Sequence, residues 1–219
     1  VLVQRGDFNL KIDERKVRHK NIAFNITVLP GTNTYYLRVD SWYADVIPLR
    51  LWSNGEFYNH VAFDSALLGI IVGVFLFIFV YNLFIYSSVR DPSYIYLSLM
   101  TLCGLATHLS GSGLGFQFIW PNNPIMGFQV LYLFLPLSFM FFLLFCRSFI
   151  EIPKVTPKFD KIIVALSILF LIFALTVFIP GLNQKFFLMS LVFEHLYYWP
   201  IIFPAALAMK NGNRAGLFL

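Results

Sequence analysis

ALLGIIVGVFLFIFVYNLFIY, residues 66–86, runs for about 21 residues without a formal charge, and at about 1.5 Å per residue that length crosses the hydrocarbon core of a bilayer. Hydrocarbon offers no water to backbone N–H and C=O groups, so every one of them must be satisfied within the segment itself. A spanning helix satisfies them; an open strand does not. The ends are legible as well. Asp64 and Ser65 stand before the run as acceptors for its free amides, and SSVRDP at residues 87–92 closes it with charge and proline.

Composition extends that reading to the whole chain. Hydrophobic residues make up 58% of it and charged residues 12%, and its 26 Phe exceed what one water-soluble core of this length would bury, so lipid must cover much of the surface. The net charge of +5 does not indicate nucleic acid, because the basic residues are spread over loops and the N-terminal segment without forming a patch. Cys103 and Cys146 lie within apolar runs at no metal or redox spacing and read as packing residues. Val1–Asp7 lacks the apolar region of a signal peptide, and RAGLFL at residues 214–219 stops as a new hydrophobic run begins, so the chain is expected to be a piece of a longer protein.

Moving outward from the first span, residues 1–63 are richer in charge. IAFNITV (22–28), YYLRV (35–39) and VIPLRLW (46–52) read as strands, separated by the turn residues PGTNT (30–34), with Pro48 suited to an edge. They are expected to be the last strands of an extracytoplasmic β domain, and residues 53–63 the connector into the membrane. On the other side, four further spans are expected at about 94–109, 125–145, 162–179 and 186–209. The second is short and polar, with Ser98, Thr101, Gly104, Thr107 and His108, which suits the interior of a bundle and predicts hydrogen bonds between helices. Residues 110–124 form a loop of glycine and aromatics, Pro136 should kink the third span, and Pro200 and Pro204 interrupt the fifth.

Charge orients this bundle. Short cytoplasmic loops keep Lys and Arg, whereas translocated ones lose them. Alternate connections hold Arg90, then Arg147, Lys154, Lys158 and Lys161, then Lys210 and Arg214; the opposite connections hold only Lys185. The N-terminal segment is therefore outside and the end of the fifth span inside.

YYLRVDSW and PLRLWS on the approach, GIIVGVFLFIFVYNLFIY in the first span, then RDPSYIYLSLM and GLGFQFIWP resemble, in that order, the bacterial seven-transmembrane receptors with diverse intracellular signalling modules. The motif residues are Tyr81, Asn82, Arg90, Asp91, Tyr94, Tyr96, Gly113, Gly115, Trp120 and Pro121. The resemblance implies a jelly-roll-like β-sandwich sensor similar to carbohydrate-binding modules, of which residues 1–64 would be the tail with its connector. Residues 65–219 would be a partial seven-transmembrane domain, the first five of seven helices in an all-α polytopic bundle. It further implies the bacterial inner membrane, a carbohydrate-like or other small-molecule ligand, homodimerisation, and a cytoplasmic kinase, diguanylate cyclase or phosphatase in cis.

Several residues stand out against this background. Gly69 and Gly73 form GxxxG, a helix-contact spacing that also arises by chance in apolar sequence. Asn82 is expected to hydrogen-bond a neighbouring helix rather than a ligand, and Arg90 with Asp91 reads as a capped cytoplasmic turn more than a signalling hinge. Glu194 and His195 lie roughly 12–15 Å into the fifth span and must face protein or water; with His108 at comparable depth they form either a polar switch or a static, satisfied pair. The residues contain no HExxH, GxSxG, phosphate loop or Cys/His cluster, so neither catalysis nor a cofactor or metal is expected within them. A transporter or channel with an incidental β segment is the alternative to a receptor, separable by an internal repeat of helices.

Overall fold

A computed structural model of the chain describes residues 10–39, 49–179, 202 and 206. The first long helix, α1 (Asn54–Val89), begins well before the apolar run. Ser53 and Glu56 form a capping box: Ser53 Oγ accepts from the Glu56 N–H at 3.3 Å and the Glu56 carboxylate accepts from the Ser53 N–H at 3.3 Å. Asp64 and Ser65 are therefore interior to the helix, and residues 54–63, expected as a connector, are helical. At 36 residues α1 is about 54 Å long against a hydrocarbon core of about 30 Å, so its first turns project from the outer face of the membrane.

A turn of two residues follows. Arg90 adopts the left-handed conformation at φ 60° and donates its N–H to Tyr86 O, while Asp91 accepts from the Ser93 N–H and Oγ at 2.9 and 2.8 Å to cap α2 (Pro92–Gly111). Pro92 opens α2 where its missing N–H costs nothing. A single π-helical turn at Gly115–Ile119 leads to α3 (Met126–Phe149), which continues through the buried Pro136. A one-turn helix, α4 (Ile152–Val155), and α5 (Pro157–Leu175) complete the described bundle.

Helix α2 sits between α1 and α3, and α3 packs against α5. The core lies where α3, α4 and α5 meet: Leu143, Cys146, Ile150, Ile152, Ile163 and Phe170 are fully buried, with Phe139 and Phe173 beside them. Arg147 closes its inner end, donating Nε to Asp160 Oδ1 at 2.5 Å and Nη2 to Oδ2 at 3.1 Å. By contrast α1 buries little beyond Asn82, leaving most of its apolar surface for lipid.

Two expectations are corrected here. Among the described residues there is no strand, which overturns the β-sandwich tail. The turn at residues 29–33 does form, held by Asn33, whose Nδ2 donates to Leu29 O at 2.7 Å and Gly31 O at 3.1 Å. The flanking arms make no ladder, and Ile22, Phe24, Ile26, Val28 and Leu37 stay exposed. Strand propensity depends on cross-strand and same-face neighbours, and two arms alone do not sustain a sheet. The expected second span forms as α2, and among the described residues three other helices, Asn54–Val89, Met126–Phe149 and Pro157–Phe178, are by length and composition alone long and apolar enough to cross a membrane. The expected fifth span falls outside the described residues. Second, the hydroxyls of the second span stay within their own helix: Ser98, Thr101 and Thr107 donate to the carbonyls of Tyr94, Leu97 and Cys103, as Ser167 of α5 does to Ile163 O, and the bridge between helices comes instead from Ser110 at the end of α2, whose Oγ donates to Gly127 O of α3. Their role is small size at close contacts.

Reporter fusions test the sidedness that follows from this order of helices. A fusion at Gly113 should report the outside and one at Lys158 the inside; a cytoplasmic signal at Gly113 would invert the bundle.

Candidate functional site

The projecting part of α1 presents Phe57, His60 and Asp64 at spacings of three and four residues, hence on one face. Against that face lies the segment of residues 10–21. His19 meets Phe57 edge-on with ring centroids 5.5 Å apart, and Lys20 Nζ reaches Asp64 Oδ2 at 3.3 Å. Trp52 stacks on His60 at 4.7 Å from the entry to the helix, with the Arg50 guanidinium 6.0 Å from the Trp52 ring.

The same segment also touches the outer loop between α2 and α3. Ile12, which is buried, donates its N–H to Pro121 O at 3.2 Å. Arg15 sits 4.7 Å over the Phe116 ring while its Nη1 donates to His19 O and Lys20 O at 3.2 and 3.1 Å and its Nε to Leu10 O at 3.4 Å. One guanidinium thus folds the segment on itself and stacks it on the bundle. The loop surface is shaped by two glycines: Gly113 has φ +76°, and Gly115 leaves room for the Trp120 indole, which a side chain there would overlap. An ideal Cβ on Gly113 would lie 3.0 Å from Lys20 Cβ, so loop and segment are in direct contact.

Electrostatics at this junction centre on His19. Burial pushes its pKa below the ordinary histidine value, with Lys20 and His60 acting in the same direction, while the Asn21 backbone and the Asp64 carboxylate favour the charged ring and oppose the shift without cancelling it. The Asn21 N–H donates to His19 Nδ1 at 3.2 Å, a bond that the unprotonated nitrogen accepts.

The residues singled out from sequence are placed as follows. Asn82 is buried, but its Nδ2 donates to Ile78 O at 2.8 Å within α1 rather than to another helix. Tyr81 is exposed and stacked on Phe77 at 5.9 Å. Arg90 and Asp91 make the capped turn described above, and Tyr94 and Tyr96 are half-buried on α2. Nothing lies within 4 Å of a Cβ added at Gly69 or Gly73, so neither is a helix contact among the described residues. His108 stacks on Phe75 at 6.0 Å, and its buried Nε2 has no hydrogen-bond partner among the described residues. Glu194 and His195 lie outside the described residues. Among the described residues no group of three or more His, Cys, Asp or Glu is placed to hold a metal.

Reading the sequence found Gly113, Gly115, Trp120 and Pro121 as motif residues but missed their contact with Ile12, Arg15, His19 and Lys20. The signal lay in SNGE at residues 53–56: a capping box there starts the helix early enough to put Phe57, His60 and Asp64 on one outward face.

Comparison with known proteins divides the chain at this junction. A family model described as 7TM diverse intracellular signalling matches residues 64–219, and one described as 7TMR-DISM extracellular 2 matches residues 1–53. No curated protein and no solved structure matches the chain.

Proposed function

Since the chain belongs to the 7TMR-DISM family, membrane sensory receptors with an extracellular domain, we propose that the contact of residues 10–21 with α1 and the Gly113–Pro121 loop is where ligand binding outside is coupled to the bundle. The ligand is a small molecule of carbohydrate-like chemistry bound by the extracellular domain. The output is a cytoplasmic signalling domain in cis, of kinase, diguanylate cyclase or phosphatase type, in a bacterial inner-membrane receptor that works as a homodimer. Residues 1–219 themselves transmit and do not catalyse.

The observation that carries this reading is the geometry of α1. One unbroken helix holds the docking face of Phe57, His60 and Asp64 at its outer end and the Arg90 turn at its inner end. A helix is stiff along its axis, so displacement at one end is delivered to the other; a flexible linker at residues 54–63 would have absorbed it. A ligand moves the equilibrium to the extent that it binds the docked and undocked arrangements unequally.

The test is a cysteine pair. Lys20→Cys with Gly113→Cys should oxidise to an intramolecular disulfide in the full-length receptor, because the Cβ positions lie 3.0 Å apart and a small outward shift of the loop, which a side chain at the left-handed Gly113 itself requires, brings them to disulfide spacing. Cys103 and Cys146 are buried and will not compete. The rate of bridging should change when a panel of neutral and acidic mono- and oligosaccharides is added. A panel that leaves both that rate and Tm unmoved removes the carbohydrate assignment, and a pair that never bridges removes the coupling contact.

A further inference from the structure

We propose that His19 is an acid-operated release for the docked segment: protonation of its ring frees residues 10–21 from the outer end of α1. This inference rests on the coupling role proposed above and adds a stimulus, external acidity, that acts at the same contact without the sugar-type ligand.

The geometry admits the neutral ring and penalises the charged one. Nδ1 accepts the Asn21 N–H, so a proton there would set two donors against each other. The ring edge lies on Phe57, an apolar neighbour that offers a charge nothing. Its surroundings are already cationic on the segment's own side, where Lys20 follows it and the Arg15 guanidinium binds the His19 and Lys20 carbonyls. From α1 two titratable groups face it, His60 and Asp64. Asp64, the group that would welcome an imidazolium, is engaged by Lys20 at 3.3 Å. His60 is stacked on Trp52 and supplies no negative charge to offset an imidazolium.

The sign of the dependence follows. A histidine whose burial lowers its pKa stays neutral when docked, whereas the undocked ring takes a proton at the ordinary value of about 6.5. Docking is therefore complete above that value and weakens as pH falls through it, by up to tenfold per pH unit until the docked ring also titrates.

Spin labels on Arg18→Cys and Tyr58→Cys, both exposed positions, read the distance between segment and helix by double electron–electron resonance in nanodiscs containing the full chain. At pH 8 a single narrow distance is expected; at pH 5 a longer population should appear, with its midpoint below about 6.5. His19→Asn, whose Oδ1 can accept the Asn21 N–H but takes no proton, should stay narrow at both pH values. A parent distribution that is narrow at pH 8 and unchanged at pH 5 overturns the release, as does a response that survives in His19→Asn. Should His19→Asn be broad throughout, a parent midpoint above about 6.5 overturns the proposal and one below it supports it. A parent already broad at pH 8 refutes the docking itself, and with it the coupling reading.

Discussion

Gly115→Ala is expected to slow bridging of the Lys20→Cys and Gly113→Cys pair at least tenfold and to destabilise the outer loop by about 2–3 kcal/mol, the usual scale of overpacking a filled site. Elsewhere in a helical turn the same change is favourable by up to about 1 kcal/mol, because alanine is the better helix former. Here the added methyl would occupy the space of the Trp120 indole. The indole Nε1 is buried and the Trp120 backbone is held, its backbone N–H donating to Gly115 O at 2.9 Å and its carbonyl accepting from the Asn123 N–H at 3.1 Å, so the ring can yield only if the loop shifts. Moving Trp120 moves Pro121, whose carbonyl receives Ile12. Gly69→Ala and Gly73→Ala provide the contrast, since both lie inside α1 and a Cβ at either meets open space, so both should leave bridging unchanged and hold or slightly raise Tm. Equal effects at all three glycines would show that the loop is not packed as described.

Phe170→Ala should cost about 3 kcal/mol in thermal or detergent unfolding, near the lower end of the usual range for a buried Phe. Phe170 is 0% exposed, tilted against Phe139 at 5.5 Å and edge-on to Phe173 at 6.2 Å. In lipid the transfer contribution is small, because a side chain leaving the core finds hydrocarbon again; what remains is lost packing and the cavity. Ile172→Ala on the same helix, 51% exposed, should change stability by less than about 0.5 kcal/mol. If the two substitutions cost the same, the α3–α5 contact is not what stabilises the inner half of the bundle.

How far the sequence reached depended on which force was in charge. The run at residues 66–86 and the breaks at RDP and at residues 110–124 were legible because the absence of water leaves a membrane segment little choice. The strands at residues 22–28 and 35–39 were misread because sheet formation depends on partners that propensity does not reveal, although the turn between them, built on a local Asn33 contact, was found. The bonding of Asn82 and of the hydroxyls within the second span was misjudged for a related reason: inside a helix the carbonyl four residues back is nearer than the next helix, whereas Ser110 at the helix end does reach α3. At the junction the individual residues were visible, yet a long-range contact such as Lys20 with Asp64 has no signature in spacing, and it emerged only once α1 was known to start at Asn54.

The left-handed Arg90 and its neighbour Asp91 are the whole of the connection between α1 and α2. Two residues span at most about 7 Å when fully stretched, and here they are folded into a tight reversal. Neither rod can therefore slide along its axis without dragging the other, so any displacement of α1 is shared by α2 as a single hairpin. Slack exists only at the far end, where the chain takes residues 112–125 to reach α3, and that is the same stretch on which Ile12 and Arg15 rest.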